Sequence, residues 1–113
     1  MEDRIYSFIG LATKAGKTAS GETGTDKAIK KGEAHLVLIA NDASQNTKKA
    51  VLNSCKFYQI PVMVWGMKEK LGKFCGKENR SSVAILDQGF ADQLIKKIDN
   101  SVMKDGGVSY GEA

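Results

Sequence analysis

The segment with the clearest potential for chemistry is the glycine-rich run SGETGTDKAIKKG at residues 20–32. Gly21 and Gly24 leave the backbone bare, and Lys27 follows within a few residues. A helix that begins in such a run presents unpaired N–H groups and the positive end of its dipole. The pattern predicts a site where an anion or the acceptor edge of a base contacts the backbone. A plain strand-to-helix turn with solvent-facing lysines is the competing interpretation.

The chain contains two stretches that could be mistaken for nucleotide-binding loops. Gly-Lys-Thr occurs at 16–18, but five residues separate Gly10 from Gly16, whereas the Walker A motif requires four. Those five residues, LATKA, also fit a helix better than a loop. The segment 21–27, GETGTDK, has no glycine before its lysine and lacks the Gly-x-Gly-x-x-Gly spacing of dinucleotide sites. Spacing therefore argues against both motifs.

Residues for catalysis or metal binding are sparse. His35 is the single histidine, no serine lies in a nucleophile elbow, and the acidic residues are scattered. Cys55 and Cys75 have no metal-ligand spacing and lie on apolar stripes, so we interpret them as reduced thiols in the core. The sequence predicts a protein that is not an enzyme and uses neither a metal nor a cofactor.

Charge is distributed unevenly along the chain. Residues 14–80 carry 13 basic and 6 acidic side chains, whereas residues 87–113 carry 3 basic and 5 acidic ones. A one-sided basic surface attracts phosphate polymers. Lysines that are only solvated at the surface would give the same numbers of basic and acidic side chains. The chain begins MEDRIYSFIG, which is unlike a signal peptide, and no apolar run reaches membrane length. We expect a cytoplasmic protein without a membrane partner.

Hydrophobic periodicity predicts alternating helices and strands. A first helix ends near Gly16, and a short edge strand at 17–20 leads into a second helix from about Thr23 to Lys31, which Gly32 closes. Ser44 caps a third helix whose inward stripe ends at Tyr58, and two more helices follow. Continuous apolar runs predict buried strands at 34–40, 62–65 and 82–86.

This alternation indicates the α/β fold class, as a three-layer α/β/α sandwich with a mixed sheet of about four strands. The order of the strands stays open. We expect a single domain at residues 1–100, since a chain of 113 residues can bury one hydrophobic core without disulfide bonds or metal ions. The remaining residues, 101–113, have no periodicity and are expected to form a flexible tail.

The run SGETGTDKAIKKGEAHLVLIANDASQNTKKAV resembles the kink-turn RNA-binding ribosomal protein family, the L-seven-Ae / L-thirty-e group. The resemblance continues through CKFYQIPVMVWGMKEKLGKFCGK and SSVAILDQGFADQLIKKI, and it is strongest to small bacterial YlxQ-like members. It spans roughly Ile5 to Ile98. It implies a three-layer α/β/α fold and a monomeric, cytoplasmic ribonucleoprotein component that binds structured RNA of kink-turn type, ribosomal RNA included.

The resemblance also implies where RNA would bind. In the family, the N-terminus of the glycine-led helix enters bent RNA at tandem sheared G·A pairs, and the loop before the last strand covers a flipped-out nucleotide. Basic residues contact phosphates, and the first helical turn meets base edges. Carried over by position, the implied RNA-binding residues are Ser20, Gly21, Glu22, Thr23, Gly24, Thr25, Lys27, Lys31, Asn79, Arg80, Ser81, Ser82 and Val83.

Two positions depart from the family pattern. Many members carry Asn and Glu, which read guanine edges, where this chain has Thr23 and Gly24. Thr23 can still form a hydrogen bond, but Gly24 offers only its backbone amide. This departure supports a second hypothesis, in which the chain is a protein-interaction adaptor that has the same fold but has lost specific RNA readout. A third, a small-phosphate or nucleotide-binding enzyme, has the least support because the Walker spacing fails.

Overall fold

A computed structural model describes residues 2–105 and 110–111 of the chain. Five helices alternate with five strands in these ranges, in the chain order α1 Glu2–Lys14, β1 Thr18–Ser20, α2 Gly21–Lys30, β2 Leu36–Ile39, α3 Gln45–Tyr58, β3 Val62–Val64, α4 Lys68–Phe74, β4 Ser82–Ile85, α5 Gln88–Asp105 and β5 Tyr110–Gly111. Helix α2 packs on α3, while α1 packs on α4 and α5. The protein therefore has the predicted α/β/α sandwich fold.

The sheet is mixed, with the strand order β1-β4-β2-β3-β5. Strands β2 and β3 run parallel, whereas the β1–β4, β4–β2 and β3–β5 pairs are antiparallel. Every residue of β2 and β4 is buried, because helices cover both faces of the central strands. The prediction of about four strands omitted β5, which pairs with β3 at the edge of the sheet.

Helix α2 begins two residues earlier than the sequence predicts. Gly21 has a φ of +83°, and this left-handed conformation turns the chain from β1 into the helix with no intervening loop. The helix ends at Lys30, and Gly32, with a φ of +72°, carries the chain away from it. Gly24 consequently lies inside the first helical turn and not at its start.

The predicted inward stripe of α3 is wrong at its last residue. Cys55 is fully buried, but Tyr58 is 41% exposed and packs edge-on against Phe57 with their ring centroids 4.9 Å apart. Gln59 adopts a left-handed conformation directly after the helix, and this turn returns Ile60 to the core. The reversal of the chain leaves Tyr58 at the surface.

The predicted flexible tail also needs correction, because α5 continues to Asp105 and Tyr110–Gly111 pair with β3. The rest of residues 101–113 lies outside the described residues. Among the described helices, none is long and apolar enough to cross a membrane. Across residues 2–105 and 110–111, no three His, Cys, Asp or Glu residues are grouped so that they could hold a metal ion.

Candidate nucleic-acid interface

The pairing of β1 with β4 positions the two segments that the sequence predicts at the RNA site. The strands are antiparallel, with Ser20 paired to Val83, so the end of β1 lies beside the start of β4. Helix α2 starts at the residue after Ser20, and the loop 79–81 ends at the residue before β4. The register of one edge strand thus brings the first turn of α2 against the loop 79–81.

Arg80 lies directly over the start of α2. A methyl group built on Gly21 would be 3.4 Å from both Cδ and Nε of Arg80, so the arginine packs on the bare glycine backbone. The Nη1 atom of Arg80 donates a hydrogen bond to the Asn79 carbonyl at 3.1 Å. The Nε atom is buried and has no hydrogen-bond acceptor among the described residues. The guanidinium is therefore only partly satisfied by the protein.

The open space beside Arg80 is a cleft with a volume of about 210 Å³. Its walls come from the first turn of α2, the loop 79–81 and helix α3, and they comprise Gly21, Glu22, Thr47, Val51, Asn79, Arg80, Ser81 and Ser82. The α3 residues Thr47 and Val51 were missed by the sequence analysis. The sequence did contain one signal for Thr47, because Ser44 is recognisable as the N-cap of α3 and Thr47 follows it by three residues. In the structure the Ser44 side chain accepts a hydrogen bond from the Thr47 amide, which lies in the first turn of α3.

Thr25 and Ser82 form a buried contact below the cleft. Each is 1% exposed, and the Ser82 hydroxyl donates to Thr25 Oγ1 at 3.0 Å. The same hydroxyl lies 3.5 Å from the Gly21 carbonyl oxygen, at the limit of a hydrogen bond. Thr25 and Ser82 therefore hold α2 on β4, and their buried side chains are not exposed to contact RNA as the resemblance implied.

Val83 is also unsuited to direct contact with RNA. Strand β4 begins at Ser82, so the last two residues of the predicted loop 79–83 belong to the sheet. Val83 pairs with both Ser20 and Leu38 and is fully buried. The accessible part of this segment is residues 79–81.

The first turn of α2 carries no side-chain cap. The Ser20 side chain makes no capping hydrogen bond, although serine is a favoured N-cap residue. By comparison, Ser44 caps α3, and Asp87 accepts a hydrogen bond from the Phe90 amide at the start of α5. The side chains of Glu22 and Thr23 are exposed in this turn. Backbone and side-chain groups of the α2 terminus are thus open to a ligand.

The lysines of α2 differ in their surroundings. Lys27 and Lys31 are exposed and follow Gly24 at helical spacing along one flank. Lys30 forms an ion pair with Asp26 at 3.0 Å, and the hydrogen bond that its ammonium donates to the Asp26 carboxylate, together with the negative charge of that carboxylate, raises the pKa of Lys30. Lys27 and Lys31 therefore remain available for phosphate groups, whereas Lys30 already has a carboxylate partner.

The opposite flank of α2 is acidic. A groove of about 340 Å³ separates it from α3, and its lining residues are Glu22, Thr23, Thr25, Asp26, Ile29, Ala50, Val51 and Ser54. No basic residue lines this groove, in contrast to the basic flank of Lys27 and Lys31. A polyanion is expected to approach α2 along its basic flank and its N-terminal end.

Gly72 fixes the course of the chain before Asn79. The Gly72 carbonyl accepts a hydrogen bond from the Lys77 amide at 2.9 Å, and a methyl group built on Gly72 would overlap the Glu78 carbonyl. The Arg80 amide donates to the Lys68 carbonyl at 3.0 Å. Helix α4 therefore holds the loop in place through backbone contacts that only glycine permits.

Both cysteines are buried, as the sequence predicts. Burial raises the pKa of Cys55 to about 12. Burial also raises the pKa of Cys75, while Thr13 and Arg80 oppose the shift. Both side chains are consequently core thiols with little thiolate character at neutral pH.

Comparisons with known proteins relate this chain to RNA-binding and ribosomal proteins. The model of the Ribosomal protein L7Ae/L30e/S12e/Gadd45 family matches residues 3–95. The RNA-binding protein YlxQ of Bacillus subtilis is 43% identical over 94 residues, which are 83% of this chain and 94% of that protein. The large ribosomal subunit protein eL30 of Tetrahymena thermophila is 37% identical over 95 residues, covering 82% and 91% of the two chains. A solved structure of a protein with unknown function from Bacillus halodurans C superposes with a TM-score of 0.79 at 39% identity, covering 84% and 96%.

Proposed function

Because the chain belongs to the ribosomal protein L7Ae/L30e/S12e/Gadd45 family, we propose that it binds structured RNA of kink-turn type through the N-terminal turn of α2. The observation that carries the proposal is the β1–β4 register, which sets the uncapped start of α2 beside the loop 79–81. The name of the YlxQ relative, an RNA-binding protein, supports RNA as the ligand. The local excess of basic residues between positions 14 and 80 supports a phosphate polymer.

Different residues serve different parts of the RNA. Lys27 and Lys31 contact phosphates along the basic flank of α2, which fixes the position of the protein without reading sequence. The exposed side chains of Glu22 and Thr23, with the Gly24 amide, contact base edges at the sharp bend. The loop 79–81 covers an unstacked nucleotide beside them. Thr25, Ser82 and Val83 support this surface from the interior.

The family and the RNA-binding name of its YlxQ relative agree with the prediction that the protein is not an enzyme. In the proposed function the protein acts as a monomeric, cytoplasmic ribonucleoprotein component. Its ligand is ribosomal or other structured RNA, and binding needs no cofactor.

The alternative function is that of a protein-interaction adaptor with the same fold that has lost specific RNA readout. Gly24 gives no side chain at a position where many family members carry a guanine-reading Glu, and this observation favours the alternative. In that case the first turn of α2 would bind RNA with no preference for bent over straight helices. The two functions therefore differ in selectivity for RNA shape.

A titration with two RNAs tests the proposal. One is a consensus kink-turn, and the control is a straight duplex of equal length and composition, both followed by calorimetry at several salt concentrations. We expect the kink-turn to bind more tightly and both affinities to fall with salt. Equal affinities for the two RNAs would support the adaptor and reject the kink-turn proposal.

A further inference from the structure

The helical layer opposite α2 has a basic surface of its own, where α1 packs on α4. At one end of this contact the Tyr6 hydroxyl accepts a hydrogen bond from the Met67 amide at 2.9 Å. One turn further along α1, a methyl group built on Gly10 would be 3.5 Å from the Phe74 ring. The two contacts follow the same order in both helices, so α1 and α4 run side by side in the same direction.

Two lysines of α4 lie over aromatic rings at this contact. Nζ of Lys70 is 5.4 Å from the ring centroid of Tyr6, and Nζ of Lys73 is 5.9 Å from that of Phe74. Both lysines are exposed, and neither forms an ion pair with a carboxylate within residues 2–105 and 110–111. An ammonium group is attracted to the face of a ring without losing its charge. The two charges are therefore held in place but not neutralised.

Two further lysines extend this positive surface. Lys14 follows Gly10 by one helical turn and so lies on the face of α1 that meets α4. Its neighbour Thr13 lies beside Cys75, two residues before Lys77, so both lysines are at the same end of the helix pair. The basic seam is the set of four exposed residues Lys14, Lys70, Lys73 and Lys77.

The segments that form the basic seam contain few acidic residues. Residues 68–77 carry four lysines against Glu69 alone, and residues 10–17 carry two lysines and no acidic residue. Residues 87–99, which include most of α5 on the other side of α1, carry two basic and three acidic side chains. The positive charge of this helical layer is thus concentrated where α1 meets α4.

The basic seam is continuous with the loop 79–81 of the proposed RNA surface. The Lys77 amide donates to the Gly72 carbonyl at 2.9 Å, and the Arg80 amide donates to the Lys68 carbonyl at 3.0 Å. The chain therefore runs back along α4 between these two bonds. A polyanion that contacts the loop 79–81 can pass onto α4 along positively charged surface.

We propose that the basic seam binds the phosphate backbone of a helical RNA stem that extends from the bend at α2. Lysine ammonium groups are point charges on flexible side chains, which suit phosphates and not base edges. Four such charges along one helix pair match a polymer with regularly repeated charges better than a single small anion. The inference rests on the proposed function for the RNA, and it adds a contact in the helical layer opposite α2.

The length of the RNA stems tests this contact. A duplex rises about 3 Å per base pair, so a stem of about 12 base pairs exceeds the 31 Å extent of the protein, whereas one of about 5 base pairs covers half of it. Each stem of a consensus kink-turn is lengthened in turn and titrated by calorimetry. We expect one long stem to increase the affinity of the wild type about tenfold. Equal affinities for all lengths would overturn the inference.

A double variant removes the two charges that lie over rings. Lys70→Gln with Lys73→Gln should bind the long-stem RNA about tenfold more weakly and lower the slope of log affinity against log salt by about two units. Its affinity for the short-stem RNA should match that of the wild type. Lys70→Arg with Lys73→Arg keeps both charges and should behave as the wild type does. Undiminished binding by the glutamine variant, or equal loss in the arginine variant, would overturn a phosphate contact.

Lys97 provides a matched control, because its Nζ lies 5.0 Å from the Phe8 ring centroid where α1 meets α5. Lys97→Gln removes the same charge and the same kind of ring contact, and it should leave RNA affinity unchanged. Circular dichroism and urea unfolding check the fold of every variant. Lys14→Gln with Lys77→Gln repeats the test without removing a ring contact, so it applies even if the first double variant is unfolded. Equal losses from Lys97→Gln would overturn the assignment to the basic seam.

The outcomes separate this inference from the proposed function. If the wild type prefers the kink-turn but long stems add no affinity, the basic seam does not bind RNA and the proposed function stands. If the wild type binds kink-turn and straight duplex equally, the proposed function fails. Weaker duplex binding by the Lys70 and Lys73 glutamine variant than by Lys97→Gln would then still support the seam, and equal binding would overturn it. Loss of binding to phosphatidylserine vesicles with undiminished RNA affinity would assign the seam to a membrane surface and overturn the inference.

Discussion

The hydroxyl of Ser82 donates a hydrogen bond to Thr25 Oγ1 at 3.0 Å, and this bond joins the first residue of β4 to helix α2 in the protein interior. Because β1 and β4 are antiparallel neighbours, the bond lies directly below the start of α2. Two residues that the resemblance placed at the RNA surface thus set the position of that surface from beneath it. Their role is testable through stability and binding together.

Thr25→Val is expected to lower the free energy of unfolding by about 1–3 kcal/mol, because the buried Ser82 hydroxyl loses its acceptor. Ser82→Ala alone should also destabilise the protein. The double variant should lose less than the sum of the two, because it leaves neither partner unpaired. Urea unfolding at fixed pH measures all four proteins. Strict additivity would show that the two hydroxyls do not depend on each other.

Gly72→Ala is expected to displace the loop 79–81, because the added methyl group would overlap the Glu78 carbonyl. RNA affinity should fall even though Gly72 lies under the loop and not on its surface. Gly10→Ala is the control, since a methyl group there would meet Phe74 at an ordinary 3.5 Å. Calorimetry with kink-turn RNA and circular dichroism provide the measurements. Undiminished affinity in a folded Gly72→Ala protein would separate the loop from RNA binding.

Lys27→Ala is expected to weaken binding of kink-turn and duplex RNA by similar factors, because phosphate contacts do not read sequence. The slope of log affinity against log salt should decrease by about one unit, as one fewer counterion is released. Lys96→Ala removes an equal charge from the exposed face of α5 and serves as the control. An unchanged slope for Lys27→Ala would exclude Lys27 from the phosphate contacts.

Burial of Cys55 raises its pKa to about 12, and this shift has a consequence for stability at high pH. The unfolded chain exposes a thiol with an ordinary pKa near 8.5, so it loses its proton first as pH rises. The contribution of Cys55 is therefore complete below about pH 8.5 and is lost progressively up to about pH 12. Chemical unfolding of wild type and Cys55→Ala at pH 7.5 and 10 measures it. The wild type should lose more stability with pH than the variant, and equal losses would contradict the assignment.

The same burial predicts slow chemistry at both thiols. Cys55 and Cys75 should react slowly with a thiol reagent at neutral pH, since the thiolate is the reactive form and neither side chain is exposed. Reductant should leave the melting temperature unchanged. Rapid labelling of the native protein would contradict the core assignment.

Periodicity was sufficient to predict most of the fold. The continuous apolar runs around Val37 and Ala84 predict strands covered on both faces, and the structure buries both residues completely. The strand order was not predictable, because the adjacency of β1 and β4 depends on long-range pairing and leaves no local signal. Tyr58 has helical spacing, yet the left-handed turn at Gln59 leaves it exposed.

The candidate site was predictable only in outline. The glycine-rich run around Gly21 indicates a helix terminus open to a ligand, and the structure leaves that terminus without a side-chain cap. The burial of Thr25 and Ser82 was not visible in the sequence, because a hydroxyl residue gives the same pattern at a surface and in a buried pair. The packing of Arg80 on Gly21 depends on tertiary contact across 59 positions of the chain, which no local spacing encodes.

Gly24→Ala provides the reference for the last prediction. Gly24 lies inside α2, where glycine is less favourable than alanine, and a methyl group there would be 3.8 Å from Ala19. The substitution should therefore raise the free energy of unfolding by about 0.5–1 kcal/mol. Its effect on RNA affinity shows what a small side chain alone does at this position. Urea unfolding and calorimetry give the two values.

Gly24→Glu is expected to tighten kink-turn binding, and most strongly together with Thr23→Asn. A methyl group on Gly24 would lie 3.8 Å from Ala19, so a longer side chain can extend from the helix without a clash. That side chain would lie beside the exposed Thr23, where its carboxylate can accept a hydrogen bond from a guanine edge. One good base contact contributes about 1–3 kcal/mol, so the affinity should rise roughly tenfold over Gly24→Ala. Weaker binding by the glutamate variant would mean that RNA contacts the bare backbone of Gly24. Unchanged affinity in folded variants would place the RNA site away from this helix and favour the adaptor.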